Sequence, residues 1–143
     1  MRHPILSTTL LLVLGGGLAV ADETQMKSPP QPTSTDFYFD TDSSDLKTDN
    51  DSALQDLANW AKCKKTHIIK LDGHADKRGT VEYNAELAER RAKAVSDRLV
   101  DLGAPRDRIV ITVYGKVGEQ RDTLAENRRV DAVAEKQEIT ASR

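Results

Sequence analysis

From residue 36 onward the apolar positions change their spacing several times along the chain. Phe37, Tyr38 and Phe39 predict a short aromatic strand, followed by a polar turn over residues 40–45. Thr48 followed by Asp51 predicts a capping-box-like helix start, because the hydroxyl accepts a bond from a free backbone N–H. Leu54, Leu57, Ala58 and Ala61 then fall at i, i+3, i+4 and i+7, one face of a helix. Residues 67–71 alternate: Ile69 and Leu71 lie on one side, Ile68, Lys70 and Asp72 on the other, and Gly73 closes the strand. A long helix runs from about residue 80 to 102 with the stripe Leu87, Ala94, Val95, Leu99 and Leu102, and Gly103 and Pro105 stop it. Residues 109–114 predict a third strand, residues 121–126 a short helix and residues 130–134 a fourth strand. Strands with one polar face and helices between them imply an α+β fold: a two-layer sandwich, with helices on one face only.

The ends follow other patterns. Residues 1–21 carry Arg2 as their only charge, then an apolar run over 10–20 broken by Gly15, Gly16 and Gly17, then small residues at Ala19 and Ala21. That is the make-up of an export signal cleaved after Ala21, with an uncleaved N-terminal anchor as the alternative. Residues 22–35 are polar and Pro-rich and predict a disordered linker. The folded domain is placed at 36–137 and a frayed tail at 138–143.

Composition narrows the function classes. The chain has 143 residues, which suits one domain, and a formal net charge of −2 that becomes −3 once Arg2 is removed. A nucleic-acid partner would call for net basic charge and for aromatics to stack on bases, and aromatics make up only 4%. The single cysteine, Cys63, excludes a disulfide framework within the chain and reads as a semi-buried structural thiol, with a reactive thiol beside a Lys-rich helix end as the alternative.

One charge falls in an unexpected place. Arg91 lies four residues after Leu87 and four before Val95, within the apolar stripe of the long helix. A guanidinium there needs a carboxylate partner, since an unpaired buried charge costs several kcal/mol. It is either a structural salt bridge, a side chain snorkelling at the layer edge, or part of a site. Asp76, in the loop joining the second strand to this helix, is a turn or cap residue or the opposite pole of that site. Ligands in open sheets commonly bind at such carboxyl ends of strands. An acid and a base facing one cleft suit a zwitterion, whose ammonium meets the carboxylate and whose carboxylate meets the guanidinium.

The stretch GHADKRGTVEYNAELAERRAKAVSDRLVDLGAPRDRI, the later YGKVGE, the closing NRRV and the opening FYFD together resemble the OmpA-like domain family over roughly residues 36–136. The likeness is greatest to its peptidoglycan-associated lipoprotein branch, without the lipid-bearing cysteine. The resemblance implies a mixed four-stranded sheet and noncovalent binding of peptidoglycan through the diaminopimelate of its stem peptide. By position it assigns Asp76 and Arg91 to the ligand, with Asn84, Asp40, Arg78, Thr80 and Arg128. Arg128 equally fits a structural ion pair with Asp40 or Asp76. It further implies a periplasmic location in a Gram-negative envelope, possible association with the outer membrane, and envelope protein partners. Lys77 stands where the lipoprotein branch often has an acid, and the segment from Gly118 to Asn127 looks shorter.

Catalysis finds little support. His67 and His74 lie roughly 20 Å apart along an extended strand at ~3.3 Å per residue, too far to share a metal. His74 with Asp76 supplies too few ligands, and Ser96 has neither a histidine nearby nor a nucleophile elbow. The expectation is therefore a binding domain without catalytic residues, metal or cofactor. The alternative is an OmpA-like protein-interaction module that does not bind peptidoglycan.

Overall fold

The computed structural model describes residues 34–118 and 120–137. The proposed signal, the tail and all but the end of the proposed linker lie outside the described residues. Four strands and three helices follow in the order β1 (Thr35–Tyr38), α1 (Asp51–Cys63), β2 (His67–His74), α2 (Val81–Asp101), β3 (Ile109–Gly115), α3 (Leu124–Asn127) and β4 (Arg129–Lys136). The sheet order is β1-β4-β2-β3. β4 runs antiparallel to both β1 and β2, whereas β2 and β3 are parallel, so the sheet is mixed as expected.

One face of the sheet carries the core. Period-two alternation puts Phe37, Ile69, Leu71, Val130, Ala132 and Ala134 beneath the helices, where they meet Leu54, Leu57, Trp60, Val95 and Leu99. The buried positions of α2 are Asn84, Leu87, Ala88, Arg91, Ala92, Val95, Ser96 and Leu99, a three-four spacing down one side. Ala88, Ala92 and Ser96 are small and carry little hydrophobic signal, so the sequence stripe omitted them and included the half-buried Ala94 instead. Their smallness brings α2 close to the strands. At Gly73 a Cβ atom would sit 2.6 Å from the Ala88 carbonyl oxygen, so only glycine permits this approach.

Several boundaries differ from the sequence reading. Thr48 begins a 3-10 turn (Thr48–Asn50) rather than capping a helix, and α1 starts at Asp51 without a side-chain cap. β1 takes in Thr35 and leaves out Phe39. β2 continues through Gly73 to His74. Cys63, at the end of α1, is exposed rather than semi-buried, because it falls outside the spacing of the apolar stripe.

Candidate functional site

The topology gathers one end of the sheet. Since β1 and β2 are both antiparallel to β4, they are parallel to each other, and β3 follows β2. The carboxyl ends of three strands and the amino end of β4 therefore lie together. A cleft of ≈ 180 Å³ opens there, lined by Thr41 and Asp42 after β1, Asp76, Arg78 and Gly79 after β2, Tyr83, Asn84, Leu87 and Arg91 on α2, and Arg128 just before β4. Pockets for drug-sized ligands span about 300–1,000 Å³, so this one has room only for a smaller group.

Arg91 is fully buried, at 0% exposure, yet its partners are not the carboxylate the sequence called for. Its Nε donates to the Ser43 carbonyl at 2.8 Å, Nη2 to that of Asp40 at 2.9 Å and Nη1 to that of His74 at 3.4 Å. The guanidinium carbon stands 5.4 Å from the Phe39 ring centroid, within cation–π range. Carbonyl dipoles thus do the work expected of an acid. A guanidinium has five N–H groups, so both Nη atoms keep a hydrogen for a further acceptor. Burial, and behind it the like charge of Arg128, brings Arg91 down to about 10. It remains a cation at neutral pH.

Asp76 is also buried, and its two oxygens are well supplied. The backbone N–H and the Nε of Arg78 donate to Oδ1, both at 3.1 Å. Arg78 Nη2 donates to Oδ2 at 2.8 Å, and Arg128 Nη1 reaches the same oxygen at 3.5 Å. The bonds from Arg78 outweigh desolvation and hold the carboxyl below its usual range. Arg128 also donates from Nε to the Phe39 carbonyl at 3.1 Å. Of the two ion pairs open for Arg128, the one with Asp76 forms.

The remaining expected residues divide by role. Asn84 is buried in the cleft wall, and its amide nitrogen donates to the carbonyls of Arg78 and Thr80, fixing the loop. Thr80 is the N-cap of α2, accepting from the Tyr83 N–H at 3.1 Å, and does not line the cleft. Asp40 points its carboxylate outward to Lys47 at 2.8 Å and gives the cleft only its carbonyl. Alternation explains this: Phe37 and Phe39 face the core, so Tyr38 and Asp40 face away.

Asp42 is the acid that sequence reasoning missed. It lines the cleft at φ 53, a left-handed conformation that Asp tolerates better than most residues, and its Oδ1 accepts from the Tyr83 hydroxyl at 3.2 Å. An aspartate in the turn after the aromatic strand was the available signal. The cleft therefore presents Arg78, Arg91 and Arg128 against Asp42 and Asp76. That arrangement suits a small ligand bearing an ammonium and at least one carboxylate.

A polar cluster on the opposite face of the sheet props the cleft from behind. The His74 ring stacks on Tyr114 at 5.2 Å, and its Nε2 lies 3.2 Å from Asp131 Oδ2. Buried Arg129 donates from Nε to Asp131 Oδ1 at 2.8 Å. His67 and His74 stand at opposite ends of β2, and among the described residues no three His, Cys, Asp or Glu gather as metal ligands.

Comparison with known proteins bears on this arrangement. The model of the OmpA family matches residues 38–133. The peptidoglycan-associated lipoprotein of Pseudomonas aeruginosa is 43% identical over 102 residues, covering 68% of this chain and 60% of that protein. The crystal structure of the peptidoglycan-associated lipoprotein from Burkholderia pseudomallei superposes with a TM-score of 0.65 at 33% identity, covering 70% of this chain and 89% of that one. The OmpA-like domain of FopA1 from Francisella tularensis gives a TM-score of 0.63 at 25% identity, covering 72% of each chain. The chain spans about half the length of the curated relatives it matches.

Proposed function

The chain belongs to the OmpA family, and from that premise we propose that it binds bacterial cell-wall peptidoglycan noncovalently, through the diaminopimelate residue of the stem peptide. The observation that carries the proposal is Arg91: a buried cation with N–H groups to spare and no ion pair to a described carboxylate, opening onto a cleft that also holds two aspartates. A ligand carboxylate takes the remaining N–H groups of Arg91, with Arg128 beside it. The ligand ammonium faces Asp42 and Asp76, and the half-exposed side chain of Arg78 swings off Asp76 to admit it. Asn84 holds the loop in register rather than touching the ligand.

The process is recognition without chemistry, and its setting is the periplasm, with the protein exported behind a cleaved signal and associated peripherally with the outer membrane or with envelope partners. Each contact is modest. The wall repeats its stem peptide many times, so a released molecule rebinds nearby. One observation favours a second reading, an interaction module without a wall ligand: the oxygens of Asp76 are already occupied by Arg78 and Arg128.

Co-sedimentation with insoluble sacculi separates the two. Under the first reading the purified protein pellets with sacculi and free diaminopimelate releases it. Protein that stays in the supernatant across salt and pH, while circular dichroism shows it folded, sinks the first reading and leaves the second. An intact-mass measurement on protein extracted from the envelope tests cleavage after Ala21.

A further inference from the structure

The antiparallel pairing of β2 with β4 runs from His67 opposite Lys136 to Gly73 opposite Val130. Past that last pair the two chains part. β2 leads into the loop that carries Asp76, and β4 is entered from Arg128, so the cleft opens where the ladder stops. His74 and Arg129 stand just beyond it. Both are buried, at 4% and 2% exposure, on the face of the sheet away from the helices.

One carboxylate holds the two together. Asp131 Oδ2 lies 3.2 Å from His74 Nε2, and Oδ1 accepts from Arg129 Nε at 2.8 Å and from Arg121 Nη2 at 3.5 Å. Its place is an unfavourable one for an acid. In the sheet register Asp131 stands directly between Asp36 on β1 and Asp72 on β2, and like charges directly opposite destabilise paired strands. Arg121 answers Asp36 at 2.7 Å and Lys70 answers Asp72 at 3.4 Å, so the central acid is stabilised chiefly by the residues it bridges. Both of those residues continue into the cleft. The His74 carbonyl accepts from Arg91 Nη1 at 3.4 Å, and Asp76 follows two residues later. Arg129 adjoins Arg128, whose Nη1 reaches Asp76 Oδ2 at 3.5 Å on the front face.

We propose that Asp131 is a positioning residue for the cleft: gripping β2 at His74 and β4 at Arg129 from behind, it fixes the separation of Asp76, Arg91 and Arg128 in front. The inference rests on reading that cleft as the diaminopimelate site. Asp131 itself touches no ligand. The ammonium and carboxylate of one amino acid are a fixed distance apart, and charge-assisted hydrogen bonds are short. Poles that drift apart therefore cannot both meet the same ligand, and a rigid receptor avoids the cost of ordering them on binding.

Two measurements on the purified full chain test this, at a temperature where circular dichroism shows each variant folded. They are calorimetry with free diaminopimelate and NMR of the arginine Nε–H groups in protein without ligand. Asp131→Ala removes the grip, so affinity falls about tenfold or more and the signals of Arg91 and Arg128 move. Asp131→Asn keeps an acceptor for Arg129 and presents a donor to His74 Nε2, so affinity returns to within about threefold of wild type. Leu57→Ala opens a cavity in the core beneath α1; it costs stability but leaves affinity and both signals unchanged. Wild-type affinity or unmoved arginine signals in Asp131→Ala overturn the proposal. A loss of affinity shared equally by Leu57→Ala overturns it too, because stability is then the cause. Wild-type protein that binds no diaminopimelate sinks the ligand reading alone, since the arginine signals still show whether Asp131 holds the cleft. Where Asp131→Ala does not fold, His74→Phe decides: it keeps a ring against Tyr114 and loses the bond to Asp131. The arginine signals move in that variant under the proposal, and signals like those of wild type refute it.

Discussion

Gly73→Ala perturbs the domain at the point where strand and helix backbones come nearest. The new methyl group would stand 2.6 Å from the Ala88 carbonyl oxygen, 3.1 Å from its carbonyl carbon and 3.5 Å from its Cβ. Ordinary contact begins at 3.4 Å, so β2 and α2 must separate by about 0.8 Å, and a helix backbone cannot rotate aside as a side chain does. Overpacking of this kind costs about 1–3 kcal/mol, and the rigidity of the neighbour favours the upper end. The loss of glycine's freedom in the unfolded chain offsets roughly 0.4–1 kcal/mol of that. A net loss of about 2 kcal/mol lowers Tm by about 8–16 °C for a domain of ~100 residues. The functional effect follows from position. Asp76 and Arg91 each lie three residues beyond the contact, so parting the backbones moves the two poles of the cleft relative to each other. Sacculus binding is expected to fall at a temperature where the variant is still folded. Thermal melts and co-sedimentation on the same sample read both effects. A variant that melts within about 2 °C of wild type and pellets normally would refute the reasoning.

Other substitutions probe the cleft and its support. Arg91→Lys keeps the charge, yet one ammonium cannot span three carbonyls; a loss of about 3 kcal/mol in urea unfolding is expected, together with loss of binding. Asp42→Asn, at an exposed position, should leave stability within about 0.5 kcal/mol while weakening diaminopimelate binding roughly tenfold by calorimetry. Asp131 gives an acid signature: burial would raise its carboxyl, but the bonds from His74 and Arg129 prevail and hold it at about 2. Its folded value lies below the unfolded one, so the stabilisation is complete above about pH 4 and lost as pH falls towards 2, a contribution of about 2 kcal/mol. Asp131→Asn should flatten the decline in Tm over that window and lower stability at neutral pH, because the charge-assisted bond from buried Arg129 to the Asp131 carboxylate is weakened.

How far the residues themselves disclosed this molecule depended on the range of the interaction. The strand–helix alternation was legible because the apolar period switches between two and 3.6 within short windows. Arg91 could be singled out because Leu87, Arg91 and Val95 share one helix face, and all three are buried. Its partners could not be read, since the carbonyls of Asp40 and Ser43 come from a loop about fifty residues away and a backbone oxygen leaves no mark in a sequence. Asp40 was the acid named after the first strand; alternation after Phe37 and Phe39 sends its carboxylate to solvent, and Asp42, not named from the sequence, lines the cleft. Thr80 was placed near the ligand by likeness to a motif, and its hydroxyl instead caps α2.

The position of β4 between β1 and β2 sets an order on how the chain becomes functional. Thr35 pairs with Ala132 and Tyr38 with Arg129, so the first strand has no neighbour until the last has been made. A growing chain lacking its final residues has a gap in the middle of its sheet, with Phe37 and Leu71 left uncovered between strands. Such contacts between distant residues make closure a late and collective event. The cleft draws on the turn after β1 and on Arg128 beside β4, so it too is completed only then. A piece of the chain that stops before residue 129 lacks β4 and cannot assemble this end of the sheet, so such a truncation is expected to abolish folding and recognition together.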